Sequence, residues 1–306
     1  MTRAQLPPPA DPVLAAGSRR IHDVLTSQQA QLQSLVERLS TAKPEDVHQA
    51  RVAARRMRSL LKTFGPLFDA RWARLYRIDL RSFARALATV READVIGDVL
   101  HLTLRSGKTL KPAEKGRLTA SLQHLRGDVR DRLRRYVSEP GWRALTAALS
   151  ARAVHPPQLA RTDASLGDLL ALTDRAWRRA RRRLRRHPEA AAELHELRLA
   201  LKHCRYALEA VDDVEPRTTA RLLRRLRRAQ EGIGAHRDTI AAAHWVRSHE
   251  RTLGRGAVSR LESALIEQEA RLRSEAAAHS AKVLPACEKW RDAIRPLRKA
   301  ARSGRA

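Results

Sequence analysis

Two stretches of this chain carry the same cationic pattern. In the first, His48, Arg51, Arg55, Arg58 and Lys62 recur three or four residues apart; in the second, His195, Arg198, Lys202 and Arg205 take the same places. At about 100° per residue, the first set falls within about 80° of arc on a helix. Such a stripe can hold anions. Arginine offers paired donors to phosphate oxygens, lysine a point charge, and histidine a donor whose charge follows pH. A solvated helix face ordinarily mixes charge signs. One sign repeated in both halves, with a histidine at its head, points to two facing cationic ridges around a polyanion. A plain solvated face accounts for one copy better than for two. Arg81 and Arg227 fall at equivalent places on the next helix of each half, where they either extend the lining or are ordinary surface arginines.

The ridges need helices to carry them. Val47, Ala50, Ala54, Met57, Leu61 and Phe64 form an apolar stripe rotated by about 110° from the charged one. Leu194, Leu197, Leu201, Cys204, Leu208 and Val211 repeat it, with Cys204 in the place of Met57. Pro44 at the start of the first motif helix, Glu45 and Asp46 in its first turn, and Gly65-Pro66 beyond it mark the boundaries. Apolar periodicity predicts a helix over about 13–39 and a long stretch from Leu67 through Val95, broken at Gly107. Further helices are predicted over about 112–137 and after Pro140-Gly141. In the second half, helices are predicted from Leu166, after Pro188, over 217–231 and 236–253, and from Ala257 with an interruption at Pro285. Sustained period-2 alternation is absent. The expected fold is all-α, in two antiparallel helical bundles joined by short connections. Residues 1–12 read as a disordered proline-rich arm, 13–150 as the first half, 151–165 as a linker and 166–300 as the second half.

Charge narrows the function. Among 306 residues, 61 Lys+Arg against 33 Asp+Glu give +28, an imbalance that calls for a polyanionic partner. Nucleic acid, an anionic membrane surface and inorganic polyphosphate qualify; codon bias toward arginine would not by itself repeat a stripe. Aromatic residues make up 4% of the chain, too few for a base-stacking platform, so nucleic acid would be held nonspecifically through its backbone. No apolar run is long enough to span a membrane and the N-terminus lacks a signal-peptide core. Two cysteines far apart in sequence do not make a disulfide framework. The expectation is a cytoplasmic protein; oligomeric state is left open.

Other constellations carry less. The arginine-dense run from Arg175 to Arg186 surrounds its helix and reads first as a solvated outer surface, second as another anion patch. Arg91 with Glu92 and Asp94, and Arg237 with Asp238, read first as internal ion pairs and second as ligand contacts. His236-Arg237-Asp238 spells the start of a kinase catalytic loop, but the downstream Asn and Gly-rich loop are missing. His195-Glu196 lacks the second histidine of a zinc-protease motif, and neither cysteine has metal-ligand spacing. The expectation is a binding protein without enzymatic activity, cofactor or metal site.

These blocks together resemble the CHAD (conserved histidine α-helical domain) family. Val47-His48 through Arg58 is similar to the family's V-H-x-x-R-V-x-x-R-R-x-R, and Arg91-Glu92-Ala93-Asp94-Val95 to its R-D-x-D-V. His195, Arg198, Lys202, Arg205 and Tyr206 match H-x-x-R-x-x-x-K-x-x-R-Y, and Ile233-Gly234 to Asp238 resembles L-G-x-x-x-D. The resemblance covers roughly residues 15–300 and departs from the family at Ala88-Thr89, where a glycine-containing turn is expected. Glu209 stands where the first copy has Lys62. What it implies is a pair of bundles related by a pseudo-two-fold axis around a basic central channel. It further implies binding of inorganic polyphosphate at polyphosphate granules. A separate alternative, read from the basic exterior as an adhesive, is a storage-granule coat. The E-x-E-x-K start of a CYTH triphosphatase domain is not matched in residues 1–40, so a stand-alone binding module is expected.

Overall fold

The computed structural model describes residues 14–39, 43–105, 110–154, 157–186, 188 and 190–302. The arm at 1–12 and the break expected at Gly107 lie outside the described residues. Among those residues the chain is a succession of α-helices with no strand. The first half comprises α1 (Ala16–Arg38), α2 (Pro44–Thr63), α3 (Ala70–Ala86), α4 (Ala88–Arg105), α5 (Pro112–Ser138) and α6 (Pro140–Val154). The second comprises α7 (Leu166–Leu184), α8 (Ala191–Glu209), α9 (Pro216–Ser248), α10 (Glu250–Leu253), α11 (Arg255–Ala281), α12 (Val283–Ala293) and α13 (Arg295–Arg302).

The boundaries have local causes. Pro44 opens α2, with Glu45 and Asp46 in the first turn facing the positive end of the helix dipole. Asp69 caps α3 by accepting the Trp72 amide at 2.7 Å. Ser165 and Asp168 form a reciprocal capping box at the start of α7. α6 runs to Val154, into the stretch expected as linker, and residues 157–165 are tied down. The Asp69 amide donates to the Gln158 carbonyl at 2.8 Å, and the Ala164 amide to Ser18 Oγ at 3.0 Å.

Both apolar stripes are buried as their phases require. Val47, Ala50, Ala54, Met57 and Phe64 are fully buried, and Leu197, Leu201, Cys204 and Leu208 nearly so. They meet in one hydrophobic core that draws on both halves, from Ile21 of α1 to Trp290 of α12. A second, smaller core joins Ile96 and Leu100 of α4 and Leu118 and Leu122 of α5 to Trp245 and Val246 of α9 and Leu261 of α11. This packing brings α4 and α9, which are far apart in sequence, side by side.

Three expected boundaries differ. The stretch predicted to run unbroken into Val95 bends at Leu87, which is fully buried and separates α3 from α4. The two helices predicted around residues 217–253 are one 33-residue helix, α9, passing straight through Gly234. Packing on both sides offsets the ~1 kcal/mol helix cost of that glycine. The C-terminal helix breaks at Lys282, so Pro285 falls in the first turn of α12, where a missing amide costs no hydrogen bond.

Candidate functional site

A cleft of about 240 Å³ opens between α2, α4, α8 and α9. α2 supplies His48, Arg51 and Arg55; α4 supplies Arg91 and Glu92; α8 supplies Arg198; α9 supplies Arg237 and Asp238. His48, Arg51 and Arg55 of the first stripe thus meet Arg198 of the second, because the apolar stripes of α2 and α8 are buried in a shared core, while His195 lies outside the cleft lining.

Two arginines are fixed by the helix that follows each motif helix. Arg51 Nη1 donates to the Ala84 carbonyl at 2.6 Å, in the last turn of α3, where positive charge meets the negative end of the dipole. Arg198 Nε donates to the Gln230 carbonyl of α9 at 3.3 Å. Gly234 makes room for Arg198: a β-carbon there would stand 2.8 Å from its Nη2. Both arginines keep donors for the cleft.

The charges in the cleft are largely uncompensated. Among the described residues, none of Arg51, Arg55, Arg91, Arg198, Lys202 and Arg237 has a carboxylate at ion-pair distance. The crowding lowers the proton affinity of Arg51, Arg198 and Lys202. Burial, with Arg55 and Arg91 nearby, brings the Arg51 guanidinium down to about 10. Lys202, behind the cleft wall and 7% exposed, is pushed down to about 6 by burial and by Arg55, Arg198, Arg205 and Arg237. Burial and Arg91 lower His48, although Glu45 opposes them; burial, Arg237 and Arg198 lower His195. Asp238 is raised by burial even though four cations pull it the other way. Positive charge is thus held out of water at this density with only Glu92 and Asp238 in the lining, neither at ion-pair distance from these cations, an arrangement whose chemistry favours an added anion.

The remaining stripe residues diverge. Arg58 lies within the field of Arg81, Arg77 and Arg85 of α3, which with burial lowers it. Lys62 borders a separate pocket with Arg175 and Arg179 of α7 and His203 of α8. His203 is pushed down to about 4 by burial and by Lys62 and Arg179, and its Nδ1 lies 2.6 Å from Ser59 Oγ. Arg205 runs along the ring of Tyr206 at 4.8 Å, and Arg55 Nε donates to the Tyr206 hydroxyl at 3.4 Å. Arg205 and Arg227 both turn toward Glu209, at 3.8 and 3.7 Å. Arg81 is exposed on α3.

The sequence places Arg91 and Arg237 first in internal ion pairs with their neighbouring carboxylates. Asp94 instead pairs with Arg130 of α5 at 3.3 Å, leaving Arg91 to the cleft, as does Arg237. Their recurrence at matched places was the signal. Arg175 and Arg179, absent from the predicted set, face Lys62; their i,i+4 spacing inside the arginine run marks that shared face. Elsewhere in the run, Arg181 pairs with Glu288 at 3.1 Å, and Arg183 with Glu196. Among the described residues no cluster of His, Cys, Asp and Glu is placed to hold a metal ion, and no helix is long and apolar enough to cross a membrane.

Fold and site together define an all-helical protein whose helices converge on a cleft of unneutralised arginines. The chain belongs to the CHAD domain family, whose model matches residues 23–247. Two solved structures are similar to it. One is PptA from Streptomyces chartreusis, with a TM-score of 0.67 and 23% identity, covering 89% of this chain and 99% of that one. The other is the CHAD domain from the plant Ricinus communis, with a TM-score of 0.65 and 23% identity, covering 90% and 96%. No curated protein matches the chain.

Proposed function

We propose that this protein binds inorganic polyphosphate, a linear anion with one charge per unit and no bases, along the cleft between α2, α4, α8 and α9. The observation that carries this is the convergence of Arg51, Arg55, Arg91, Arg198 and Arg237 from four helices without carboxylate partners. CHAD-domain proteins are associated with polyphosphate, which supports the assignment. The ligand supplies the missing counter-charge: oxygens on successive phosphates accept from guanidinium forks on both ridges. The protein works by binding, with no reaction assigned to it, and its cellular place is the polyphosphate granule.

Nonspecific nucleic-acid binding is the competing assignment, favoured by the net charge of +28. The recessed position of Arg51 and Arg198 argues against duplex DNA. Its stiff backbone contacts exposed cations, whereas a flexible phosphate chain threads between helices. The test is a titration with long-chain polyphosphate competed by duplex DNA at equal phosphate concentration. Both interactions weaken with salt through counterion release, and polyphosphate outcompetes DNA per phosphate. Equal or better competition by DNA overturns the assignment.

A further inference from the structure

The carboxylate of Glu209, at the C-terminal end of α8, is held by arginines from three helices. Arg56 of α2 donates to its Oε2, while Arg205 of α8 and Arg227 of α9 approach Oε1 at 3.8 and 3.7 Å. Arg56 and Arg205 also stand over the Tyr206 ring, at 5.8 and 4.8 Å from its centroid. The Glu209 side chain is 12% exposed. A pocket of about 330 Å³ between α1, α2 and α8 opens beside it, so the cluster is reachable from solvent.

The cluster adjoins the cleft through one contact, although the pocket beside Glu209 shares no lining residue with it. Arg55, which lines the cleft, donates to the Tyr206 hydroxyl, and Arg205 follows Lys202 by three residues on α8. Glu209 itself occupies the place in the second copy that Lys62 holds in the first. Three guanidinium groups around one pair of oxygens is the donor arrangement that a phosphate unit would find. We infer that Glu209 stands in for a phosphate at the end of the anion track, and so fixes how far along α8 a bound polyphosphate extends. The inference rests on the polyphosphate assignment above. Its negative charge holds Arg56, Arg205 and Arg227 in place and turns away the next phosphate, which makes Glu209 a determinant of chain length. The competing role is a clamp that joins α2, α8 and α9 and has no bearing on the ligand.

The experiment titrates the full-length chain with polyphosphates of graded length, comparing wild type with Glu209→Gln and with the shorter Glu209→Ser. Two neutral variants of different size keep the test open should one of them fail to fold. Removing the charge frees the Arg56 donor and takes away the counter-charge facing Arg205 and Arg227, so the affinity for long chains rises about tenfold, the weight of one charge-assisted contact. The salt dependence steepens by about 0.7–0.9 per added phosphate contact. Affinity stops rising with length at a longer chain than in wild type, and tripolyphosphate binds all three proteins alike. Folded variants with the wild-type length dependence and salt slope reduce Glu209 to a clamp and overturn the inference, while polyphosphate binding stands. A wild type that binds no polyphosphate of any length removes the underlying assignment and this inference with it.

Discussion

Arg198 crosses the backbone of Gly234 so closely that a β-carbon at that position would meet its guanidinium at 2.8 Å. The atoms in the way are the far end of a flexible side chain, so Gly234→Ala displaces Arg198 rather than the helices. Alanine favours the helix by about 1 kcal/mol over glycine, which offsets the crowding. The expected outcome is an unchanged or slightly raised melting temperature together with polyphosphate affinity reduced roughly fivefold to tenfold, the loss of one charge-assisted contact. Thermal melts and binding titrations on the same preparation check it. Unchanged affinity would mean that Arg198 does not touch the ligand.

Lys202 links stability to binding. Its value in the folded chain, about 6, lies below the ordinary 10.5 because of burial and four neighbouring arginines. Between those two values the unfolded chain holds the proton and the folded chain does not. Stability therefore rises as pH climbs from about 6 toward 10.5, and the burial penalty is greatest below about 6. Lys202→Met should stabilise the free protein by roughly 1–3 kcal/mol at neutral pH while weakening polyphosphate binding. Denaturant titrations of both proteins with and without ligand test this trade. A variant that loses stability would show that Lys202 has a partner the charge balance does not reveal.

Binding should take up protons. His48 and His195 are held below 6.5 in the free protein by burial and by Arg91 and Arg237 respectively. A bound polyanion supplies the opposite charge and raises both, along with Lys202. By linkage, affinity increases as pH falls through the bound-state values. Titrations from about pH 8 to pH 5.5, around the reference value of about 6.5, should show wild type tightening toward acid. His48→Gln combined with His195→Gln should respond less. Identical profiles would assign both imidazoles to packing.

Much of the site was legible because helical phase is written locally. The alternation of cationic and apolar stripes in α2 and α8 dictated which face is buried, and Val47 to Phe64 and Leu194 to Val211 are buried accordingly. The unpredicted parts depend on packing between distant segments. No glycine or proline marks the bend at Leu87, although the family pattern places a turn at the adjoining Ala88-Thr89; here it follows from how α3 and α4 lie on the core. Gly234 looks like a helix end until Arg198 is found across it. Arg91 and Arg237 join the cleft only because α4 packs on α9 from the other half. The far ends of the stripes separate for the same reason: Lys62 faces α7, and Arg205 turns to Glu209.

With polyphosphate in the cleft, the recessed arginines, and not the exterior ones, hold it. Arg51, Arg55 and Arg198 line the cleft, whereas Arg178, Arg182 and Arg185 are exposed on α7 and α7's end. Both triple glutamine substitutions remove the same formal charge, so nonspecific electrostatics changes equally. Long-chain polyphosphate is titrated against wild type and both triples at one salt concentration, with helicity checked by circular dichroism. The cleft triple should lose about a hundredfold or more in affinity and the α7 triple less than about threefold, since only the first removes direct charge-assisted contacts. Equal losses, or a larger loss from the α7 triple, would rule out the cleft and move the site to the protein's exterior.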